Sequence, residues 1–133
     1  MAMVKPMTEN EIGKEVVDAA YKIHSRLGPG LLEKVYEVLL AHELKSRGLE
    51  VVRQLPVPLV WEGIRFEEGF RLDLLVHDKV IVETKSAEKV AGVDKMQVLT
   101  HLRLLDKRSG FLINFNVELI KDGIFRIANG MPD

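Results

Sequence analysis

The run Arg71-Leu72-Asp73-Leu74-Leu75-Val76, then His77-Asp78-Lys79, then Val80-Ile81-Val82-Glu83-Thr84-Lys85 decides how this chain is read. Two stretches rich in Leu, Ile and Val flank a short polar break, the pattern of two paired strands. Side chains alternate between the faces of a strand, so Glu83 and Lys85 share one face while Val82 and Thr84 take the other. If His77-Asp78-Lys79 forms a three-residue loop, Val76 pairs with Val80 and Asp73 falls opposite Glu83. Two acids facing each other destabilise a sheet. A divalent cation between them would turn the repulsion into coordination. A loop longer or shorter by one residue would instead send the acids to opposite faces. On spacing alone a second reading stays open, in which Arg71, Asp73, Glu83 and Lys85 form ordinary cross-strand ion pairs on a solvated face.

Outward from this pair, Thr8-Glu9-Asn10-Glu11 reads as a capping box. Ile12, Val16, Ala19, Ala20, Ile23 and Leu27 then follow at helical spacing. Gly28-Pro29-Gly30 ends that helix, and a second runs from Leu31 to about Arg47, stopped by Gly48. Its apolar residues surround most of its circumference, which predicts burial on more than one side. Val51 to Trp61 is β-rich, and Pro56 and Pro58 mark it as an edge or interrupted strand. Glu62-Gly63 is a turn into a strand over Ile64 to Val76. A helix is expected from Val93 to about Asp106, and a buried strand at Phe111-Leu112-Ile113-Asn114-Phe115. Val117 to Lys121 and Ile124 to Ile127 read as strands on either side of the hairpin-turn dipeptide Asp122-Gly123. The resulting order, ααβββαβββ, predicts a single α/β domain over residues 1–133, with a mixed central sheet flanked by helices and a flexible start over residues 1–8.

Composition narrows the functions open to it. The chain has 133 residues, 47% of them hydrophobic and 29% charged, which suits a globular core. It has no cysteine, which excludes disulfides, thiolate metal sites and cysteine nucleophiles. His24, His42, His77 and His101 lack paired metal-ligand spacing. The net charge of −1 leaves any nucleic-acid contact to a local patch. One basic bias exists, in Lys85, Lys89, Lys95, Arg103, Lys107 and Arg108, diluted by Glu88, Asp94 and Asp106. No apolar run reaches membrane-spanning length, and Met-Ala-Met-Val-Lys-Pro is not a secretion signal, so a cytoplasmic protein without a membrane partner is expected.

Phosphodiester hydrolysis needs a metal to activate water and stabilise charge on phosphorus. Carboxylate oxygens suit Mg²⁺ or Mn²⁺, and a lysine two residues from a liganding Glu can orient the attacking water or offset charge. Glu33 shares a helix face with Tyr36, Glu37, Leu40 and Leu44, although an acid in a first helical turn is favoured by the helix dipole alone. Gln97 and His101 are four residues apart on one helix face. They are candidates for a phosphate or base contact, or else partly buried polar groups bonded to backbone.

Gly30, Glu33 and Tyr36 spell Gly-x-x-Glu-x-x-Tyr. With the Asp73 strand, Val82-Glu83-Thr84-Lys85-Ser86 and Leu112-Ile113-Asn114-Phe115-Asn116, the chain closely resembles the GxxExxY protein family over roughly Glu9 to Ile127. That family is placed in the PD-(D/E)XK nuclease-like superfamily. The resemblance implies a restriction-endonuclease-like αβββαβ core and a divalent metal held by a helix acid, a strand Asp and a Glu-x-Lys pair. Those positions are Glu33, Asp73, Glu83 and Lys85, with the Thr84 carbonyl a further ligand. Gln97 matches the Gln of a Gln-x-x-x-Tyr pattern whose tyrosine position is His101 here. Tyr36 joins them as a substrate contact, and Leu72 stands where a proline often precedes the Asp. The expectation is a Mg²⁺- or Mn²⁺-dependent nuclease-like protein acting on DNA or RNA. The rivals are a catalytically silent nucleic-acid-binding module and a homodimeric interaction protein of the same fold.

Overall fold

The computed structural model describes residues 5–131. The first helix, α1 (Glu9–Leu27), begins where Thr8 and Glu11 exchange hydrogen bonds, Glu11 N–H donating to Thr8 Oγ1 at 3.1 Å and Thr8 N–H to Glu11 Oε1 at 3.0 Å. Gly28 closes it with φ 71° and its N–H on the His24 carbonyl at 2.8 Å. After the Gly-Pro-Gly turn come α2 (Glu33–Ser46), β1 (Val51–Trp61), β2 (Ile64–Val76), β3 (Val80–Lys85), α3 (Gly92–Leu105), β4 (Ser109–Asn114), a 3₁₀ turn (Ile120–Asp122) and β5 (Ile124–Ala128).

The five strands form one mixed sheet in sequence order, β1-β2-β3-β4-β5. β1, β2 and β3 are an antiparallel meander, β4 runs parallel to β3 through the α3 connection, and β5 returns antiparallel to β4. Alternation in β3 sorts the layers. Val80 and Val82 pack with α1 and α2 in a core that includes Ile12, Val16, Leu40, Leu44, Phe111 and Ile113. Ile81 faces the other way, toward Val98 and Leu102 of α3 and Leu112 of β4. The single α/β domain with a mixed sheet and flanking helices is therefore as expected.

The loop that fixes the decisive register also behaves as read. His77 and Asp78 adopt left-handed φ of 54° and 56°, and Lys79 N–H closes on the Val76 carbonyl at 3.0 Å. His77 is buried because it bonds twice. Its Nδ1 accepts from Glu50 N–H at 3.1 Å, which leaves the proton on Nε2 to donate to the Lys5 carbonyl at 2.7 Å. Lys79 Nζ reaches the Met7 carbonyl at 2.7 Å. Residues 5–8 of the segment expected to be flexible are thus tied to the hairpin, and residues 1–4 lie outside the described residues.

Two expectations need correcting. The second helix is buried on one side only: Tyr36, Glu37, Leu40, Ala41 and Leu44 face inward, while Leu32 is 78% and Val38 42% exposed. Its apolar circumference reflects the absence of an outer layer, not burial. Val117 to Lys121 is not a strand either. The Val117 carbonyl is held by His24 Nε2 at 2.8 Å, and the chain coils into the 3₁₀ turn before β5. Gly123 has φ −105°, so it serves no hairpin turn. It is glycine because a Cβ there would collide with the Asn114 carbonyl.

Beyond the core, the β1–β2 hairpin projects as an arm. In the cross-strand pairs Trp61↔Ile64 and Leu59↔Phe66, partners share a face, so these four apolar side chains line one side of it. Trp61 and Ile64 are well over half exposed.

Candidate active site

The β2–β3 ladder runs through Val76↔Val80, Leu75↔Ile81 and Leu74↔Val82, and its next step sets Asp73 against Glu83. Here backbone pairing gives way to side-chain bonds. Thr84 N–H and the Thr84 hydroxyl both donate to Asp73 Oδ2, at 3.0 and 3.2 Å, and Asp73 N–H donates to Glu83 Oε1 at 3.4 Å. β3 meanwhile keeps pairing with β4 as far as Lys85↔Asn114. One neighbour peels away while the other stays, and the sheet opens where the acids sit.

Salt bridges do not explain these acids. Among the described residues, neither Asp73 nor Glu83 has a lysine or arginine nitrogen within 4.0 Å, and Lys85 lies instead 3.9 Å from Asp94. Burial pushes the Glu83 carboxyl up to about 8, and the nearby Asp73 charge adds to the rise against a smaller opposing effect of Lys85. Glu33 is exposed at the start of α2, yet its carboxyl is also raised, first by desolvation and then by Asp73. Asp73 thus acts on both Glu33 and Glu83, and Lys85 opposes it at both.

Several backbone clamps bring Glu33 to this place. Tyr36 is fully buried and stacks on Phe115 with ring centroids 4.4 Å apart. Its hydroxyl donates to the Gly28 carbonyl at 2.7 Å and accepts from Leu31 N–H at 3.1 Å, so it shapes the Gly-Pro-Gly loop from within. The Ser86 hydroxyl donates to the Leu31 carbonyl at 2.7 Å, which joins that loop to the end of β3. Asn114 secures the other side: its Oδ1 accepts from Ala87 N–H at 3.0 Å and its Nδ2 donates to the Ala87 carbonyl at 2.9 Å.

One constellation escaped the sequence reading. Glu37 is 3% exposed and accepts from Arg53 Nη2 at 2.9 Å, Arg53 Nε at 3.2 Å and Gln54 Nε2 at 2.6 Å. Adjacent strand residues normally point to opposite faces, so Arg53 and Gln54 should not reach one carboxylate. Gln54 does so by adopting φ 52°, a left-handed strand position that a glutamine rarely takes. It lies opposite Asp73, between the pairs Arg53↔Leu74 and Leu55↔Leu72. The legible signal was Glu37 itself: an acid flanked by Tyr36, Leu40, Ala41 and Leu44 on one helix face needs a partner.

Gln97 and His101 part company despite their shared spacing. Gln97 is exposed, whereas His101 is buried, stacked on Phe70 with ring centroids 4.1 Å apart. His101 Nδ1 has no hydrogen-bond partner and lies 4.0 Å from Glu83 Oε1. Desolvation lowers its pKa, against a smaller raising effect of Asp73. The downstream basic residues do not gather into one patch: Lys95 sits 3.9 Å over the Phe125 ring and Lys107 pairs with Asp78 at 3.4 Å.

As they stand, no three His, Asp or Glu side chains among the described residues converge tightly enough to grip an ion. The donor set nevertheless fits a divalent cation in chemistry: half-buried carboxylates with no lysine or arginine nitrogen within 4.0 Å among the described residues, and an orphaned imidazole nitrogen beside them. A separate groove of about 580 Å³ between α1 and β5, lined by Gly13, Val17, Tyr21, Phe111 and Ile124, contains none of these groups. No helix of the described residues is long and apolar enough to cross a membrane.

In comparisons with known proteins, a family model described as the PD-(D/E)XK nuclease superfamily matches residues 10–127. No curated protein and no solved structure matches the chain.

Proposed function

The chain belongs to the PD-(D/E)XK nuclease superfamily, and on that premise we propose that it hydrolyses phosphodiester bonds in DNA or RNA with the help of Mg²⁺ or Mn²⁺. The observation that carries this reading is the Asp73–Glu83 pair at the open end of the β2–β3 ladder, with no lysine or arginine nitrogen within 4.0 Å of either acid among the described residues. We read the finer assignment, to the GxxExxY group, from Gly30, Glu33 and Tyr36.

Asp73 and Glu83 would hold the ion, with Glu33 behind them and the Thr84 carbonyl as a further oxygen. The ion, when bound, acts as a Lewis acid on the phosphate and lowers the pKa of water. The remaining work falls to the chain. Glu83 gives up the proton that burial otherwise makes it keep. Lys85, on the same strand face, supplies positive charge against a phosphate and holds the attacking water in line. Gln97, exposed on α3, meets the substrate, while His101, buried behind it, faces Glu83 instead. Tyr36 serves from below, fixing the loop from which Glu33 enters.

Purified protein incubated with DNA and RNA of several forms and either metal should cleave at least one, and Asp73→Asn and Glu83→Gln should abolish cleavage. Binding without cleavage of any form would overturn the catalytic reading and leave a silent binding module. A homodimer is a proposal of its own. The exposed Leu32 just before α2 and Val35 and Val38 on it, with Val60, Trp61 and Ile64 on the arm, are the apolar surface it would cover, and light scattering reads it directly.

A further inference from the structure

Among the described residues, His101 Nδ1 is the buried side-chain polar atom left without a hydrogen bond. A buried nitrogen without a hydrogen bond loses its hydration for nothing in return. Nδ1 is such an atom, in a side chain only 7% exposed. The ring is held flat against Phe70 and cannot swing away without breaking that stack. With its proton on Nε2, Nδ1 presents a lone pair toward Glu83 Oε1, 4.0 Å away. That separation is too long for a hydrogen bond. It is compatible with two ligands of a common ion, each about 2.0–2.2 Å from it. Three neighbours surround the ring: Glu83 faces Nδ1, Asp73 acts on it through its charge, and Phe70 stacks against it.

Building on the metal-site reading above, we infer that His101 contributes Nδ1 as a ligand, so that the site prefers a transition-metal ion such as Mn²⁺ to Mg²⁺. Magnesium binds oxygen and keeps its waters, and a fixed imidazole offers it little. Manganese accepts nitrogen readily, and later first-row ions more so. A site of carboxylates alone would not discriminate in this way.

The test uses the full chain and Mn²⁺ itself as the probe. Electron spin-echo spectroscopy of the wild-type protein with Mn²⁺ should show coupling to a directly bonded nitrogen. Calorimetric titration should show Mn²⁺ binding weakened about tenfold or more in His101→Phe, with Mg²⁺ binding near wild type. Phe keeps the stack on Phe70, and the wild-type spectrum stands even if that variant folds poorly. Mn²⁺ binding that is lost in Glu83→Gln but carries no nitrogen coupling would overturn the inference and leave the proposed function intact. Mg²⁺ binding without Mn²⁺ binding would likewise overturn the inference alone, and a wild type that binds neither ion would overturn both.

Discussion

At the scale of single residues, the acids behave as a pair because, among the described residues, neither has a lysine or arginine nitrogen within 4.0 Å. Glu83, with a folded pKa of about 8 against an ordinary value of 4.5, keeps its proton in the folded state over the interval where the unfolded chain has released it. The folded state then binds more protons, so its stability falls as pH rises from about 4.5 to 8. In the presence of a chelator, Glu83→Gln should therefore melt higher than wild type at pH 8 and near it at pH 5, with thermal melts across pH as the readout. Mn²⁺ should narrow that difference at pH 8. At about 100 times its dissociation constant an ion adds about 2.7 kcal/mol to the wild type and nothing to the variant. Glu37 offers the contrasting case, a buried acid fully paired. Arg53→Ala strands that charge and should cost about 3–5 kcal/mol in a denaturant titration, far more than an exposed ion pair is worth. The Asp73–Glu83 register was legible because a three-residue loop fixes it by parity. Gln54 was not legible, since nothing local announces a left-handed glutamine within a strand.

At the scale of elements, the helices were read well where caps and turns decide them, and less well where tertiary contact does. Thr8 to Glu11 carried its own signature, and Thr8→Ala should lower stability by about 1 kcal/mol. Gly13 shows the opposite situation. In an exposed helix, glycine to alanine gains roughly 0.5–1 kcal/mol. Here a Cβ would stand 3.0 Å from the Phe111 ring, so Gly13→Ala should lose that gain and lower the melting temperature. Val117 to Lys121 looked like a strand by composition, yet its backbone partner is His24 on a helix remote in sequence. The outer face of α2 misled for a related reason. Periodicity reports which residues are apolar, and only the neighbours decide which of them are covered.

At the scale of the whole molecule, the α/β class and the meander followed from the sequence, because turns at Glu62-Gly63 and His77 to Lys79 mark off β1, β2 and β3. The site is harder to see, being assembled from a helix, two strands and a further helix. Asn114 illustrates why: it acts on residues after Lys85 only because β4 lies parallel beside β3. Asn114→Leu should release the Ala87 loop and cut any cleavage activity severalfold while costing about 1–3 kcal/mol of stability, which activity assays and denaturant melts separate. The same strand order has a consequence in time. β3 meets β2 across a three-residue loop, but meets β4 only after the whole of α3 has been laid down between them. Local hairpins close early and long-range parallel pairs late. A nascent β2–β3 hairpin can set Asp73 against Glu83, whereas His101 and the Asn114 clamp arrive with the last contacts. Metal affinity should then be acquired on the native side of the folding barrier. In stopped-flow chevrons, Mn²⁺ should slow the unfolding limb and leave the refolding limb where it was.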